Sequence, residues 1–207
     1  MIIPVSPLDE KNAVATALKV LTEGGIIAYP TETFYALGAR YDHPVALERL
    51  CSIKSRATDR TLPLIIGSEE HLSLLAEHVP ALARRLMGRF WPGPLTVVLP
   101  ARADLDGRIT SGGKVALRIP GESFALRLAK VSPFPVTATS ANISGKPPAD
   151  TASMVTAYFG DSVDAVFDGG KTPGGLPSTI VDAAGETLQI LREGAIPARD
   201  VLLALTS

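Results

Sequence analysis

The stretch AVATALKVLTEGGIIAYP, residues 13–30, indicates the fold class of this 207-residue chain. Its apolar residues first recur at the three- and four-residue spacing of an amphipathic helix. Glu23-Gly24-Gly25 then ends that period, and residues 25–30 form the short apolar run that is typical of a buried strand. A helix followed at once by a buried strand predicts a chain that alternates the two elements.

The alternation continues along the rest of the chain. Helical spacing predicts helices over residues 44–53, 69–77, 80–90, 123–130 and 150–159, and after Pro197. Apolar or β-branched runs predict strands over residues 62–66, 95–99, 114–119, 135–139, 165–167, 179–181 and 188–191. We therefore expect an α/β fold with a single domain over residues 1–207, a twisted mixed β-sheet and flanking helices, and ligands bound at loops beyond strand ends.

Composition limits the classes of function. The chain is 46% hydrophobic and 20% charged, which fits a globular protein with a sizeable core. Its formal net charge of −1 argues against non-specific coating of nucleic acid, which needs many Lys and Arg contacts to phosphates. The single cysteine, Cys51, excludes a disulfide or a cysteine-based zinc site within one chain. The sequence has neither signal-peptide features nor an apolar run near the ~20 residues of a membrane helix, so we expect a cytoplasmic protein without membrane association.

Two polar segments predict a site for an anionic ligand. The first follows the predicted strand 135–139 and reads Thr139-Ser140-Ala141-Asn142-Ile143-Ser144-Gly145-Lys146-Pro147-Pro148. Such residues favour local side-chain hydrogen bonds over regular structure, which is how a strand end presents polar groups to a ligand. The second, Lys54-Ser55-Arg56-Ala57-Thr58-Asp59-Arg60, follows the predicted helix 44–53 and brings cations to a comparable edge. Together they predict a concave cationic groove.

Two arginines lie in otherwise apolar strand-like runs. Arg118 interrupts Val115-Ala116-Leu117-Arg118-Ile119-Pro120, and a buried guanidinium must be paired. A protein carboxylate and a ligand carboxylate would both satisfy it, and Arg can grip either one in bidentate fashion. Arg192 in Leu191-Arg192-Glu193-Gly194 repeats the situation, because Glu193 is too close in a strand to share its face.

The segment Pro30-Thr31-Glu32-Thr33-Phe34-Tyr35-Ala36-Leu37-Gly38 directly follows the predicted strand 25–30. Its hydroxyls either bind a small polar ligand or stabilise a turn by local hydrogen bonds. The spacing of these residues leaves both readings open.

Familiar catalytic patterns are missing from the sequence. It contains neither G-x-S-x-G nor G-x-x-x-x-G-K-[ST], and the spacing of its three histidines does not indicate a metal site. We therefore predict no protein-built metal site. Without a candidate nucleophile, the site is expected to work by positioning reactants and stabilising charge.

In their order and over nearly the whole chain, these segments resemble the YrdC/TsaC family of L-threonylcarbamoyladenylate synthases. The matching motifs are PTET at 30–33 with Tyr35 and Leu37-Gly38, Lys54-x-Arg56, WPGPLT at 91–96, LRIP at 117–120, TSAN at 139–142, PSTIVD at 177–182 and REG at 192–194. Each motif is weak alone, but the series is specific.

The resemblance implies a YrdC-like fold and a nucleotidyltransferase reaction. L-threonine, bicarbonate or CO2, and ATP would give threonylcarbamoyl-AMP and pyrophosphate, for threonylcarbamoyladenosine (t6A) modification of tRNA. It further implies ATP as substrate, Mg²⁺ held mainly by the ATP phosphates, transient contact with the tRNA threonylcarbamoyltransferase complex, and weak tRNA binding at most. The alternative is a non-catalytic RNA-binding module of the same fold.

The family's residue roles transfer to this chain by motif position. The resemblance implies catalytic roles for Lys54, Arg56, Ser140 and Asn142. It implies ATP contacts at Arg56, Arg60, Lys114, Ser140, Pro148 and Arg192. It implies threonine contacts at Thr33, Arg118, Ala138 and Ser178, with Arg118 as the partner of the substrate carboxylate.

Some positions depart from the family pattern. Ser55 stands in place of a usual glycine, Ala57 in place of a proline, and Arg60 in place of a lysine or asparagine. Ile65 stands where some members carry a histidine near threonine. The chain also ends at Ser207, so it resembles the short form that has no extra C-terminal domain.

Overall fold

The computed structural model describes residues 1–6, 9–54 and 61–206. The strands in these ranges are β1 (Ile2–Pro4), β2 (Ile27–Pro30), β3 (Tyr35–Gly38), β4 (Leu64–Ile65), β5 (Leu95–Pro100), β6 (Thr110–Ser111), β7 (Lys114–Arg118), β8 (Val136–Thr137), β9 (Thr139–Ser140), β10 (Ala165–Asp168), β11 (Thr179–Asp182) and β12 (Gln189–Arg192). The helices are α1 (Glu10–Thr22), α2 (Pro44–Ile53), α3 (Leu72–Leu75), α4 (Ala81–Phe90), α5 (Phe124–Val131), α6 (Ala152–Phe159) and α7 (Ala198–Thr206). Short 3-10 turns cover Glu69–His71 and Gly160–Ser162.

The predicted α/β class with flanking helices is confirmed, but the described strands form two mixed sheets instead of one. The first sheet has the order β1-β10-β2-β3-β9, and the second has the order β12-β11-β5-β7-β4-β8, with β6 paired to β7. Each sheet contains parallel and antiparallel pairs.

The sheets separate where the predicted strand 135–139 changes partner at Ala138. On one side of Ala138, β8 pairs with β4 of the second sheet; on the other side, β9 pairs with β3 of the first. The amide of Ala138 donates to the carbonyl of Pro63 at 2.8 Å, so the crossing residue is itself hydrogen-bonded. One continuous β-branched run therefore belongs to two sheets, which places Ser140 at the junction between them.

Helices cover the sheets as the periodicity predicts. The stripe of α1 that packs inward consists of Ala13, Val14, Ala17 and Leu21. Helix α1 contacts α5, β2 and β10, and the rings of Phe124 and Phe167 stack beneath it with centroids 5.2 Å apart. Helix α4 packs against α7 and β5.

Several element bounds differ from the sequence prediction. The predicted strand 62–66 is paired only over β4, and the predicted helix 69–77 is a 3-10 turn followed by the single turn of α3. Strands β1, β3 and β6 were not predicted. Among the described residues, no helix has the length and apolarity that crossing a bilayer requires.

Candidate active site

A row of side chains crosses one face of the second sheet. Ile65 lies beside Arg118 in the β4–β7 register, Thr96 beside Ile180 in the β5–β11 register, and Ile180 beside Arg192 in the β11–β12 register. Neighbouring residues in register point to the same face, so two guanidinium groups frame a short apolar and hydroxyl-bearing floor. This floor belongs to a cavity of about 370 Å³.

The cavity is closed by segments from both sheets and the loops between them. The first sheet contributes Tyr35, Ala36 and Ser140, and the turn before β3 contributes Thr31, Thr33 and Phe34. Ala138 and Thr139, at the junction of the two sheets, also line it. Pro177 and Ser178 close it from the segment before β11. The polar groups of seven separate chain segments, 31–36, 61–65, 96, 118, 138–140, 177–180 and 192, thus meet around one space.

Thr31 organises the turn between β2 and β3. Its Oγ1 donates to the carbonyl of Phe34 at 2.8 Å and accepts from the amide of Thr33 at 3.1 Å. The Thr31 and Thr33 hydroxyls are 3.1 Å apart. The turn reading is therefore correct, and the same turn presents Thr33 to the cavity, so the two readings of this segment do not exclude each other.

Arg118 is paired with a carboxylate of the protein itself. Its Nη1 lies 3.4 Å from Oε1 of Glu32, and its Nη2 lies 3.5 Å from Oε2. The side chains of Arg118 and Glu32 are only 9% and 17% exposed, so this is a largely buried ion pair. Of the two partners left open by the sequence, the described structure contains the protein carboxylate. A ligand carboxylate at Arg118 would join this pair.

Arg192 holds the opposite wall through Ser178. Its Nη2 donates to the Ser178 carbonyl at 2.7 Å and lies 3.3 Å from Ser178 Oγ, and its Nε donates to the same carbonyl at 3.2 Å. Ser178 Oγ also lies 3.0 Å from Thr96 Oγ1. Partial burial, and secondarily the cation of Arg118, lowers the pKa of Arg192. Arg118 therefore disfavours the charged form of Arg192, and an anion between the two guanidinium groups would offset this repulsion.

Gly194 allows the chain after β12 to press against Ser178. A Cβ at this glycine would lie 2.1 Å from the Pro177 carbonyl oxygen, so no larger residue fits without a shift. The Thr179 hydroxyl accepts from the amides of Gly194 and Ile196 and donates to the Ile196 carbonyl at 2.6 Å. Two motifs on the consecutive antiparallel strands β11 and β12, PSTIVD and REG, thus form one wall.

Lys54 lies beneath the loop that carries Ser140 and Asn142. It is 4% exposed, and its Nζ donates to the Ser140 carbonyl at 2.5 Å, to the Asn142 carbonyl at 2.6 Å and to Asn142 Oδ1 at 2.8 Å. Ser140 Oγ donates to Asn142 Oδ1 at 2.6 Å, and Asn142 Nδ2 donates to the Lys146 carbonyl at 2.8 Å. A buried ammonium group therefore holds the shape of this loop.

Comparisons with known proteins identify the family of this chain. The family model described as "Sua5_yciO_yrdC: Telomere recombination" matches residues 19–194, which is most of the chain. The chain belongs to the Sua5/YciO/YrdC family.

Named members of the Sua5/YciO/YrdC family are similar to this chain over most of its length. It is 38% identical over 203 residues to the threonylcarbamoyl-AMP synthase of Pyrococcus abyssi, covering 97% of this chain and 59% of the relative. It is 38% identical over 185 residues to the threonylcarbamoyl-AMP synthase of Bacillus subtilis, covering 88% of this chain and 54% of the relative. The chain therefore spans less than two thirds of the length of these relatives.

A solved structure of the same family has the same fold. The crystal structure of P. abyssi Sua5 complexed with L-threonine superposes with a TM-score of 0.92 at 38% identity, and it covers 99% of this chain and 61% of the other. The mixed sheets and flanking helices are thus shared with a Sua5/YciO/YrdC member.

Six of the ten described residues that the family resemblance implies line the cavity. The predicted residues that line the cavity are Thr33, Arg118, Ala138, Ser140, Ser178 and Arg192. Four described ones lie off its lining: Lys54, Asn142, Lys114 and Pro148. Arg56 and Arg60 lie outside the described residues. The ligand contacts themselves stay predictions.

Lys114 lies on the same face of β7 as Arg118, but at the other end of the strand. Four residues of strand separate their Cα atoms by about 13 Å. The Lys114 ammonium group is 2.6 Å from Asp182 Oδ2, and Asp182 Oδ1 accepts from the amide of Ala184 at 3.0 Å. Its side chain is therefore tied to β11, and a nucleotide contact there stays a prediction.

Sequence reasoning missed Glu32 and Thr96 as members of the site. Both lie in quoted motifs, PTET and WPGPLT, but neither was given a role. The signal for Glu32 was its position as the sole carboxylate in a hydroxyl-rich segment after a buried strand. The signal for Thr96 was a hydroxyl inside an apolar strand, where a buried donor needs a partner.

The described residues contain no group of three or more His, Cys, Asp and Glu side chains that could hold a metal ion. The site is instead built from guanidinium groups, hydroxyls and backbone groups. Such donors suit carboxylate and phosphate oxygens, because charge-assisted hydrogen bonds from Arg match their geometry.

Proposed function

We propose that this chain is an L-threonylcarbamoyladenylate synthase, a nucleotidyltransferase that makes threonylcarbamoyl-AMP and pyrophosphate from L-threonine, bicarbonate or CO2, and ATP. The observation that carries the proposal is the convergence of Arg118, Ser178, Arg192 and Ser140 on one cavity. Its volume, about 370 Å³, lies in the range of small-ligand sites. Relatives at 38% identity bear the name threonylcarbamoyl-AMP synthase, which supports the same assignment.

The amino acid binds at the end of the cavity that Arg118 frames. Arg118 receives the substrate carboxylate, and the Thr33 and Ser178 side chains contact the polar groups of threonine beside Ala138. Serine differs from threonine by one methyl group, which a pocket discriminates by only about 1–3 kcal/mol. Serine is therefore the most difficult competitor to exclude.

The chemistry needs no covalent enzyme intermediate. The threonine amine attacks the carbon of CO2 and loses a proton, which forms a carbamate. A carbamate oxygen then attacks the α-phosphorus of ATP, the bond from that phosphorus to the bridging oxygen breaks, and pyrophosphate leaves. The protein's part is to hold the two reactants in line and to stabilise charge on the phosphates.

The phosphates bind between the Arg192 wall and the Ser140–Asn142 loop. Ser140 Oγ can donate to a phosphate oxygen only when it releases Asn142 Oδ1, now 2.6 Å away. Lys54 keeps the Ser140–Asn142 loop in place while Ser140 Oγ changes its acceptor, because the Lys54 ammonium group donates to the carbonyls of Ser140 and Asn142. Arg56 and Arg60 are proposed to complete the phosphate contacts, and Mg²⁺ is proposed to enter with ATP, held mainly by phosphate oxygens.

The proposed setting follows from the product. Threonylcarbamoyl-AMP would serve t6A modification of tRNA in the cytoplasm, through transient contact with the tRNA threonylcarbamoyltransferase complex and with weak tRNA binding at most. Residues 1–207 are proposed to act as one domain in this step.

The test is pyrophosphate release by the purified protein. The rate should depend jointly on L-threonine and bicarbonate, and Arg118→Ala should raise the KM for L-threonine at least about tenfold. Ser140→Ala should lower the rate, whereas the matched control Ser111→Ala, on the exposed strand β6, should leave it unchanged. Release that does not require both L-threonine and bicarbonate would refute the proposal.

The alternative function, a non-catalytic RNA-binding module, predicts different behaviour. It requires tight RNA binding that weakens steeply with salt, and no turnover of ATP. The net charge of −1 disfavours it.

A further inference from the structure

Glu32 connects three segments around the amino-acid end of the cavity. It belongs to the turn that carries Thr33, its Oε1 accepts from the amide of Gly121 at 3.0 Å, and both of its oxygens face Arg118. Gly121 in turn accepts from the Ser123 hydroxyl at 2.8 Å, and Ser123 caps helix α5. One carboxylate therefore fixes the Thr33 turn relative to the end of β7.

The geometry of the pair leaves one edge of the guanidinium for a ligand. Glu32 faces the two terminal nitrogens of Arg118, Nη1 and Nη2, at 3.4 and 3.5 Å. These distances exceed the 2.7–2.9 Å of a tight charge-assisted bond. No described residue accepts a hydrogen bond from Arg118 Nε. Because Glu32 occupies only the terminal edge, the edge formed by Nε can receive a second carboxylate from the cavity.

The positive charge of Arg118 also requires a carboxylate partner. Arg118 and Arg192 line the same cavity, and Arg118 contributes to the lowered pKa of Arg192. Without a carboxylate behind it, the Arg118 guanidinium would be free to move away from the second cation. Glu32 offsets that repulsion and itself lies off the cavity lining.

We propose that Glu32 is a positioning residue for amino-acid binding, which holds the Arg118 guanidinium by its terminal edge so that the other edge meets the substrate carboxylate. This inference rests on the proposed function, because it names what orients the same site. The proposed role of Glu32 concerns binding of the amino-acid carboxylate and not binding of the nucleotide.

Glu32→Gln tests the inference with almost no change in side-chain volume. A glutamine is neutral, and if its carbonyl oxygen keeps the Gly121 amide that now donates to Oε1, its NH2 group replaces Oε2 and faces Arg118 Nη2, which is itself a donor. We expect the KM for L-threonine to rise about tenfold, while kcat and the KM for ATP change less than about twofold.

Glu122→Gln is the matched control. Glu122 follows Gly121 in the turn before helix α5 and also pairs with an arginine, Arg127, but its side chain is 75% exposed. Its substitution should leave all three kinetic constants unchanged. An unchanged KM for L-threonine in Glu32→Gln, or an equal change in kcat or in the KM for ATP, would overturn the inference.

Gly121→Ala provides a second variant in case Glu32→Gln does not fold. A Cβ there would lie 3.2 Å from Glu32 Cγ and would displace the carboxylate without removing it. The same selective rise in the KM for L-threonine is expected, smaller than in Glu32→Gln. A KM for L-threonine equal to that of the wild type would overturn the inference in this variant as well.

The two proposals can fail separately. If the wild type makes no adenylate, the proposed function fails. Calorimetry then tests the role of Glu32 separately, by comparing the affinity of the wild type and of the variants for L-threonine. If the wild type makes the adenylate and Glu32→Gln matches it in the KM for L-threonine, only the inference about Glu32 fails.

Discussion

Buried and half-buried charges at single positions determine the shape of the cavity. Lys54 lies under the Ser140–Asn142 loop with three acceptors around its Nζ, and Glu32 lies behind Arg118. Neither side chain lines the cavity. Both therefore affect a ligand through the groups that they hold in place.

Lys54→Met is expected to lower the free energy of unfolding by about 2–4 kcal/mol. The substitution keeps the length of the side chain but leaves three part-buried acceptors, the carbonyls of Ser140 and Asn142 and the Asn142 side-chain oxygen, without a charged donor. Urea unfolding measures the change. The control is Lys171→Met, because Lys171 is 75% exposed and makes one 3.4 Å pair with Asp150. The control should change the unfolding free energy by less than about 0.5 kcal/mol. Equal effects of the two substitutions would contradict the buried position of Lys54.

The sequence predicted the cations and hydroxyls of the site better than the residues that orient them. Arg118 was recognisable because a guanidinium in an apolar strand needs a partner, and Ser140 because it follows a β-branched run. The one signal for Glu32, a lone carboxylate in a hydroxyl-rich segment, was too weak to assign it a role, because an acid in a turn is usually solvated. Its partners, Gly121 and Arg118, are about 90 residues away in sequence, and only the folded chain brings them together.

Among the strands and loops, the segment before β11 and the segment after β12 approach each other closely at Gly194. We expect Gly194→Ala to lower the free energy of unfolding by about 3 kcal/mol, because its Cβ would lie 2.1 Å from the Pro177 carbonyl oxygen. It should also raise the KM for L-threonine, since Ser178 is next to Pro177. Thermal and urea unfolding check the first effect, and pyrophosphate release checks the second.

Gly185→Ala is the control for Gly194→Ala. A Cβ at Gly185 would meet no atom within 4 Å, so its unfolding free energy should stay within about 0.5 kcal/mol of the wild type. If Gly194→Ala is as stable and active as Gly185→Ala, the close approach of Gly194 to Pro177 is not required for stability or for activity.

Tyr35 connects β3 to the segment after β10, and this connection should depend on pH. Its hydroxyl donates to the Gly170 carbonyl at 2.8 Å, and burial raises the pKa of Tyr35 to about 12. Between about pH 10 and about pH 12 the unfolded chain loses this proton and the folded protein keeps it, so stability falls as pH rises through that window.

Tyr35→Phe isolates this contribution. At about pH 8 the variant should be less stable by about 1–3 kcal/mol, because the Gly170 carbonyl loses its donor. Above about pH 10 the gap to the wild type should narrow by about 1 kcal/mol per pH unit, because only the wild type has this proton to lose. Tyr29, whose pKa is also raised by burial, stays in both proteins and cancels in the comparison. A gap that stays constant with pH would contradict the shifted pKa.

The alternation of helices and strands was predictable, whereas the pairing of short strands was not. The long stripe of α1 and the apolar runs of β5 and β7 have strong periodicity and were correctly predicted. Strand β3 was read as part of a loop because it follows directly on the Thr31–Phe34 turn. The change of sheet at Ala138 depends on which partner each half of the strand finds, and no local pattern encodes that choice.

In the whole molecule, a nearly neutral net charge coexists with two arginines on the lining of one cavity. The chain has 20 basic and 21 acidic residues, yet Arg118 and Arg192 converge where the carboxylate of Glu32 is shielded behind one of them. Such a distribution suits a small anionic substrate more than a long polyanion. The fold class and the family were predictable from the ordered series of motifs, and the positions of these groups in one cavity required the structure.

Following the carbon of bicarbonate into the product tests the proposed chemistry most directly. The purified protein is incubated with L-threonine, ATP, Mg²⁺ and ¹³C-labelled bicarbonate, and the products are identified by mass spectrometry. We predict threonylcarbamoyl-AMP that carries the label, together with pyrophosphate, and, at an L-threonine concentration well below the wild-type KM, at least about tenfold less of this product from Arg118→Ala. Unlabelled threonyl-AMP, or no adenylate at all from the wild type, would contradict a cavity in which an amino-acid carbamate meets the α-phosphorus of ATP.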